Sequence, residues 1–333
     1  MRAELLNQPA EVNSNPLKLA DIPRPEAAPG EILVQVHVCG VCHTDLHVVE
    51  GELREASLPL VPGHQIVGTV AANGDGVMRF KLGERVGIPW LHEACGICEF
   101  CQRGQENLCP WARFTGYTAQ GGYAEYTTVP EKFAVPIPAR FSDVEAAPLL
   151  CAGIVGYRSL RLSDLQQGER LGLFGYGGSA DLCIQVARHW HCEVFVFTRS
   201  PAHQELATKH GAAWVGRAEE NPPSNLDRAI IFAPVGSLVP LALGHLREGG
   251  TLCINAIHTS PIPEMPYDLL WGERTIRTVA NATRRDAEEF LPLAAEIPII
   301  PDTQLFDLDQ ANQALQALKH GQINGTAVLQ VRH

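Results

Sequence analysis

The sequence predicts an α/β fold in two domains, a β-rich one and a doubly wound parallel sheet. Three observations predict it. Over residues 1–150, short runs alternate apolar and polar residues between turns rich in Gly and Pro. From about 151 to 283, short apolar runs alternate with helical stretches instead, the signature of a parallel sheet with crossover helices. At the first strand-to-helix joint of that second part stands the glycine-rich "LFGYGGSA".

The elements follow in order. "EILVQVHV" sets Ile32, Val34, Val36 and Val38 on one face, as a half-buried strand does. "QIVGTV" and "ERVGIP" read the same way, and "NGDG" is a turn. In the second part, strand "LGLF" is followed by helix "SADLCIQVARHW", strand "EVFVF" and helix "PAHQELATKHG". Strand "RAIIFA", helix "SLVPLALGHL" and strand "TLCIN" complete the series. The tail, about 284–333, holds helices around "DAEEFLPLA" and "LDQANQALQALKHG" and a last strand, "TAVLQV".

The chain has 333 residues, 45% apolar and 19% charged, which suits two compact domains. A net charge of −11 argues against nucleic acid or an anionic membrane as partner. "MRAELLNQPAEVNSN" has no apolar signal core, and no apolar run is long enough to span a bilayer. A cytoplasmic location is therefore expected, where thiols stay reduced and clustered cysteines are more often metal ligands than disulfides.

Such a cluster is present. "CGICEFCQRGQENLC" holds Cys95, Cys98, Cys101 and Cys109. Four thiolates at short spacing suit tetrahedral zinc. An iron–sulfur cluster is the rival, since Pro110 follows the last cysteine. Gly96, Gly104 and several charges favour an exposed loop wrapped round zinc, and no second cysteine cluster offers an electron path. A site closed by four thiolates stabilises a loop and does no chemistry.

The chemistry lies elsewhere. Gly175, Gly177 and Ala180 fit G-x-G-x-x-G/A between a strand and a helix, with Gly178 beside them. Glycines there admit a pyrophosphate to backbone N–H groups at a helix N-terminus. The next strand ends in Thr198, Arg199 and Ser200, where an NAD site usually has a carboxylate for the ribose hydroxyls. Arg pairs with a 2′-phosphate that a carboxylate would repel, so the expected cofactor is NADP, with NAD as the alternative. Cys42 in "CGVCHTD", His64 in "PGHQIVG" and Cys151 in "PLLCAGIVGY" make a second metal set. Two thiolates and one imidazole leave a fourth position open, the pattern of catalytic zinc.

Together these motifs resemble the zinc-dependent medium-chain alcohol dehydrogenases. "CGVCHTDLHVVEG", "LPLVPGH", "CGICEFCQRGQENLC", "GYTAQGGYAEY", "PLLCAG" and "FGYGGSA" run in the family's order along essentially the whole chain. The resemblance implies a GroES-like catalytic domain, 1–150 with 284–333, and a Rossmann domain, 151–283. It implies two zinc ions per chain, one structural on the four-cysteine loop and one catalytic on Cys42, His64 and Cys151. It implies that Thr44 takes the alcohol's hydrogen bond and passes its proton on. Asp45 is expected to orient His64, and His43 to lie near the cofactor pyrophosphate. The relay's end is open between His47 and Glu50, because yeast-like relatives carry a histidine at the position of Glu50. The family usually reads G-H-E, whereas this chain has Gln65 after His64, which keeps the shape and loses the charge.

The implied reaction is hydride transfer between NADP(H) and a primary alcohol or aldehyde. Trp90 and Leu53 are expected in the substrate pocket wall, without charge, so small to medium apolar substrates fit best. Homodimers and homotetramers both occur in such relatives. A polyol dehydrogenase is disfavoured by Cys151, where those enzymes carry a glutamate. A zinc-free quinone reductase is disfavoured by the six ligand cysteines with His64. A non-catalytic NADPH-binding scaffold has only Gln65 in its support.

Overall fold

The computed structural model describes residues 1–53, 55–297, 299–323 and 325–331. Two compact units form, one from Met1–Cys151, Thr283–Ala295 and Ile300–His333, the other from Ala152–Ala282 and Glu296–Ile299.

The first unit opens with antiparallel strands β1 (Arg2–Leu6) and β2 (Leu17–Asp21). Strand β3 (Glu31–Val41) runs straight into helix α1 (His43–Glu50). Strands β4 (Gln65–Asn73), β5 (Arg85–Ile88) and β6 (Leu91–Glu93) follow. Then come a single helical turn, α2 (Glu99–Gln102), and strands β7 (Arg113–Phe114), β8 (Tyr126–Pro130) and β9 (Val135–Pro136). Helix α3 (Asp143–Pro148) starts at a capping box, Ser142 with Glu145, and leads into a π-helical turn over Leu149–Gly153.

The second unit begins with α4 (Ile154–Leu162) and β10 (Arg170–Phe174). Then α5 (Gly178–His189), β11 (Glu193–Phe197), α6 (Pro201–Lys209), β12 (Trp214–Gly216) and β13 (Leu226–Ile231) follow. Helix α7 (Leu238–His245), β14 (Leu246–Ile254) and β15 (Thr275–Thr278) close it. All neighbouring strands are parallel, in the order β12-β11-β10-β13-β14-β15. This is the Rossmann order, which reverses beside β10, at whose end the glycine-rich turn lies.

The tail adds α8 (Arg284–Glu296), β16 (Thr303–Asp307), α9 (Ala311–Lys319) and β17 (Thr326–Gln330). Strand β16 was not anticipated from sequence, because "TQLFD" is half exposed and lacks an apolar run. β17 lies antiparallel on β3, with Ala327 opposite Val41, so the tail seals the sheet next to Cys42. β3 itself departs from the half-buried expectation. Only Glu31, Gln35 and His37 along it are less than fully buried. It is flanked by β17, β4 and β8, and α3 packs on it.

Candidate active site

Cys42 is the N-cap of α1, held by local rules. Its Sγ accepts from Thr44 N at 3.4 Å, and its own N–H donates to Asp45 Oδ2 at 2.9 Å. Asp45 is thus the far half of a capping box, and its second oxygen remains for another task. Asp45 Oδ1 lies 2.8 Å from Nδ1 of His64, both side chains being almost fully buried. The carboxylate accepts, so Nδ1 donates to it and Nε2 is left facing the thiols. Cys151 arrives from the π-helical turn, a distortion that recurs at functional sites.

The three donors converge. Cys42 Sγ lies 3.8 Å from Cys151 Sγ, and His64 Nε2 lies 3.4 Å from Cys151 Sγ. Tetrahedral zinc, with bonds of about 2.3 Å to sulfur and about 2.05 Å to nitrogen, sets sulfur pairs roughly 3.8 Å apart and sulfur–nitrogen pairs roughly 3.5 Å apart. The donor set therefore fits zinc with one position left over. Burial opposes a charge on His64, but Asp45 and Cys42 together outweigh it and raise the imidazole to about 10. Cys151's hydrogen bond, with help from His64, keeps Cys42 the more acidic thiol. Protons held this way are those a bound metal displaces.

Trp90 meets the His64 ring edge-on at 5.0 Å and stacks with Phe114 and Tyr117 at 5.3 and 5.7 Å. This aromatic stack was not visible in the sequence, although the "GYTAQGG" motif held Tyr117. Leu53 is half-buried against the core of this unit. Gln65 is buried behind His64, and its Oε1 has no hydrogen-bond partner among the described residues. Its side chain covers Gly40, where an added Cβ would lie 2.9 Å from Gln65 Cδ.

Thr44 is buried and His43 exposed, on the first turn of α1. His47 pairs with Glu52. Glu50 Oε1 accepts from Val12 N at 2.9 Å and from Lys319 Nζ at 2.6 Å, so it ties α1 to two segments distant in sequence.

The four-cysteine loop is also assembled. Cys95 Sγ lies 3.6 Å from Cys109 Sγ and 3.9 Å from Cys101 Sγ, again tetrahedral spacing. Cys98 N and Cys101 N donate to Cys95 and Cys98 sulfur at 3.4 and 3.5 Å. All ten cysteines are free thiols, which removes the disulfide reading. Glu106, buried within the loop, takes a two-pronged bond from Arg284, at 2.6–3.0 Å, and Arg284 N at 2.7 Å. That anchor, 178 residues away in sequence, leaves no local signal.

In the second unit, Gly175 has φ +88°, and an added Cβ would lie 2.9 Å from Ala233. Gly177 is the N-cap of α5, and a Cβ there would meet nothing within 4 Å. Gly178 is the first helical residue and Ala180 is fully buried. Open space at Gly177, before a helix of twelve residues, fits the approach of a pyrophosphate. Thr198 is nearly buried, Arg199 is exposed, and Ser200 caps α6 at His203 N, 3.4 Å away.

A GroES-like β unit with a Rossmann unit is the architecture of the medium-chain dehydrogenases. Residues 28–139 match the family model of the alcohol dehydrogenase GroES-like domain, and residues 180–296 that of the zinc-binding dehydrogenase. "Probable alcohol dehydrogenase AdhA" of Mycobacterium tuberculosis (strain CDC 1551 / Oshkosh) is 48% identical over 99% of this chain and 97% of its own length. A cinnamyl alcohol dehydrogenase of Sorghum bicolor has a TM-score of 0.89 at 26% identity, over 99% of this chain and 97% of that one. The CAD from Helicobacter pylori, complexed with NADP(H), has a TM-score of 0.86 at 25% identity, over 99% of both chains. The chain belongs to the zinc-dependent medium-chain alcohol dehydrogenase family. It is an oxidoreductase that acts on small alcohols and aldehydes. Among the described residues, no helix is long and apolar enough to cross a membrane.

Proposed function

We propose that the chain interconverts small to medium primary alcohols and their aldehydes with NADP(H), using one zinc at Cys42, His64 and Cys151 and a second at the four-cysteine loop. The convergence of Cys42, His64 and Cys151 at tetrahedral spacing carries this reading. When bound, zinc supplies Lewis acidity to the substrate oxygen, and the nicotinamide takes or gives the hydride.

This chain's residues do the rest. Asp45 holds His64 in one tautomer and so fixes the Nε2 lone pair. The Thr44 hydroxyl accepts the alcohol's hydrogen bond and releases its own proton toward His47, which shares its helix face three residues on. Glu50's engagement with Lys319 supports His47 over Glu50 as the relay's end. Trp90, with Phe114 and Tyr117 behind it, makes the site apolar on one side and helps exclude water. Leu53 supplies a second apolar wall.

The missing carboxylate after β11 supports NADP. Arg199 is exposed there to pair with a 2′-phosphate, beside the hydroxyls of Thr198 and Ser200. NADP pools are usually kept reduced, which favours aldehyde reduction as the working direction. Ten free thiols are consistent with the reducing cytoplasm. Strand β15 is a largely exposed sheet edge near exposed Tyr267 and Trp271, and supports a homodimer or homotetramer.

The test is kcat/KM with both cofactors in the parent, Arg199→Ala and Thr198→Asp. A charge-assisted hydrogen bond contributes about 1.5–3 kcal/mol, so Arg199→Ala should weaken NADP use roughly ten- to a hundredfold and leave NAD nearly unchanged. Thr198→Asp should reverse the preference. A parent that already prefers NAD, or equal losses for both cofactors in Arg199→Ala, would overturn the NADP assignment.

A further inference from the structure

Tyr176, the residue between Gly175 and Gly177, is buried, and its hydroxyl donates to Asp181 Oδ1 at 3.0 Å. Asp181 is itself buried, in the first turn of α5. The same carboxylate oxygen lies 2.6 Å from Nδ1 of His210, the residue that ends α6. The His210 carbonyl accepts from Arg188, in the last turn of α5, at 3.2 Å. The tyrosine ring also faces His203 on α6, with centroids 6.4 Å apart. The glycine-rich turn is thus tied through one carboxylate to the start of α5 and the end of α6.

A carboxylate in this place needs a reason. A buried anion costs free energy unless it is paired and hydrogen-bonded. It also stands in the first turn of the helix that should receive an anionic pyrophosphate. Packing alone would be served by an apolar side chain. What Asp181 adds is direction, since it fixes Tyr176 and with it the backbone on either side. Burial and the nearby Asp181 charge push the Tyr176 phenol above its ordinary range, so it stays a neutral donor.

We infer that Asp181 is a positioning residue for cofactor binding, holding Tyr176 so that the Gly175–Gly178 backbone is set before the dinucleotide arrives. This rests on the reading that the turn receives the dinucleotide. A preset turn spares the ordering cost that a loose one meets on binding. Pyrophosphate is common to both dinucleotides, so the effect must be the same for NADP and NAD.

Tyr176→Phe removes one hydroxyl and keeps the ring. Dissociation constants for NADPH and NADH should rise together by about five- to tenfold, with kcat at saturating cofactor retained. The thermal midpoint should change little. Asp181→Asn should weaken binding too. The double variant should then be no worse than the poorer single variant, because both act through one bond. Additive losses, unequal losses for the two cofactors, or a lowered midpoint with unchanged dissociation constants would each overturn the inference. Gly177→Val separates it from the reading beneath. A side chain fits there without a clash but fills the approach to the turn. Unchanged binding in Gly177→Val sinks the cofactor reading of the turn. Lost binding in Gly177→Val with unchanged binding in Tyr176→Phe sinks only the role of Asp181.

Discussion

The four thiols of the loop come from one fifteen-residue segment, whereas Cys42 and Cys151 meet across 109 residues. The loop has little fold of its own. It comprises one α-helical turn, a 3-10 turn over Glu106–Leu108, two left-handed glycines at Gly96 and Gly104, and N–H groups aimed at its own sulfurs. Its thiols are unequal. Backbone N–H groups of Ile97 and Cys98 bring Cys95 down to about 7, whereas burial and Cys98 push Cys101 up to about 12. The Cys42, His64 and Cys151 set stands on a strand end, a buried carboxylate and a helical distortion, with Trp90 against the histidine. On the proposed reading, a metal at the loop would make the fold. At the other site the fold makes the place for a metal.

The largest effects should come from breaking each set at a cysteine. Cys98→Ser would remove a ligand from the proposed closed site, where metal binding is folding free energy. The protein should lose one metal equivalent and several degrees of thermal midpoint, or become insoluble. Cys151→Ser should lose the other equivalent and all measurable turnover while the midpoint moves little. Elemental analysis with thermal unfolding separates the two. A Cys98→Ser protein as stable as the parent would remove the structural-metal assignment.

Removing the supports should sharpen the contrast with smaller effects. Asp45→Asn takes away the acceptor that orients His64, and such partners typically contribute ten- to a hundredfold in metal affinity, so a loss of about that size is expected at this site alone. Glu106→Gln weakens the tie from the loop to Arg284. That pair is buried on the Glu106 side but more than a third exposed on the Arg284 side, so solvent screens it. Metal release from the loop should quicken only about two- to fivefold, following a loss of under about 1 kcal/mol. Release rates with a chromogenic chelator, followed in two phases, would measure both. Equal effects at the two sites would mean that the loop depends on the fold as much as the buried site does.

What was legible in the sequence follows the same division. The four-cysteine spacing and the glycine-rich turn are local, and their chemistry is written within a few residues. The three-residue site was legible because each piece sits in its own short motif. The supports were not. Glu50 carried a charge in the right stretch, but its partner Lys319 lies 269 residues away, and a long-range ion pair leaves no periodicity. His210 and Asp181 look like ordinary polar residues of two helices until the fold brings them together. β3 was read as half-buried because alternation counts side chains, whereas its burial comes from its three neighbouring strands and α3.

The smallest expected effect concerns Gln65. It is buried beside His64 with an unpartnered Oε1, over Gly40, which has no room for a side chain. The surroundings hold Asp45 and two ligand thiols, so the amide fills the space without adding a further negative charge. Gln65→Glu adds one at nearly constant volume. The extra charge should hold a divalent ion more firmly and make a bound alcohol a weaker acid. Chelation from the Cys42, His64 and Cys151 site should slow about three- to tenfold, and kcat for alcohol oxidation should fall by a similar factor, since each 1.4 kcal/mol is about tenfold. The cofactor preference, set in the other unit, should not move, nor should metal release from the four-cysteine loop. Stopped-flow chelation and kcat with both cofactors would measure this. If Gln65→Glu matches the parent in both, charge behind His64 does not reach the metal, and the glutamine is only a space-filling side chain over Gly40.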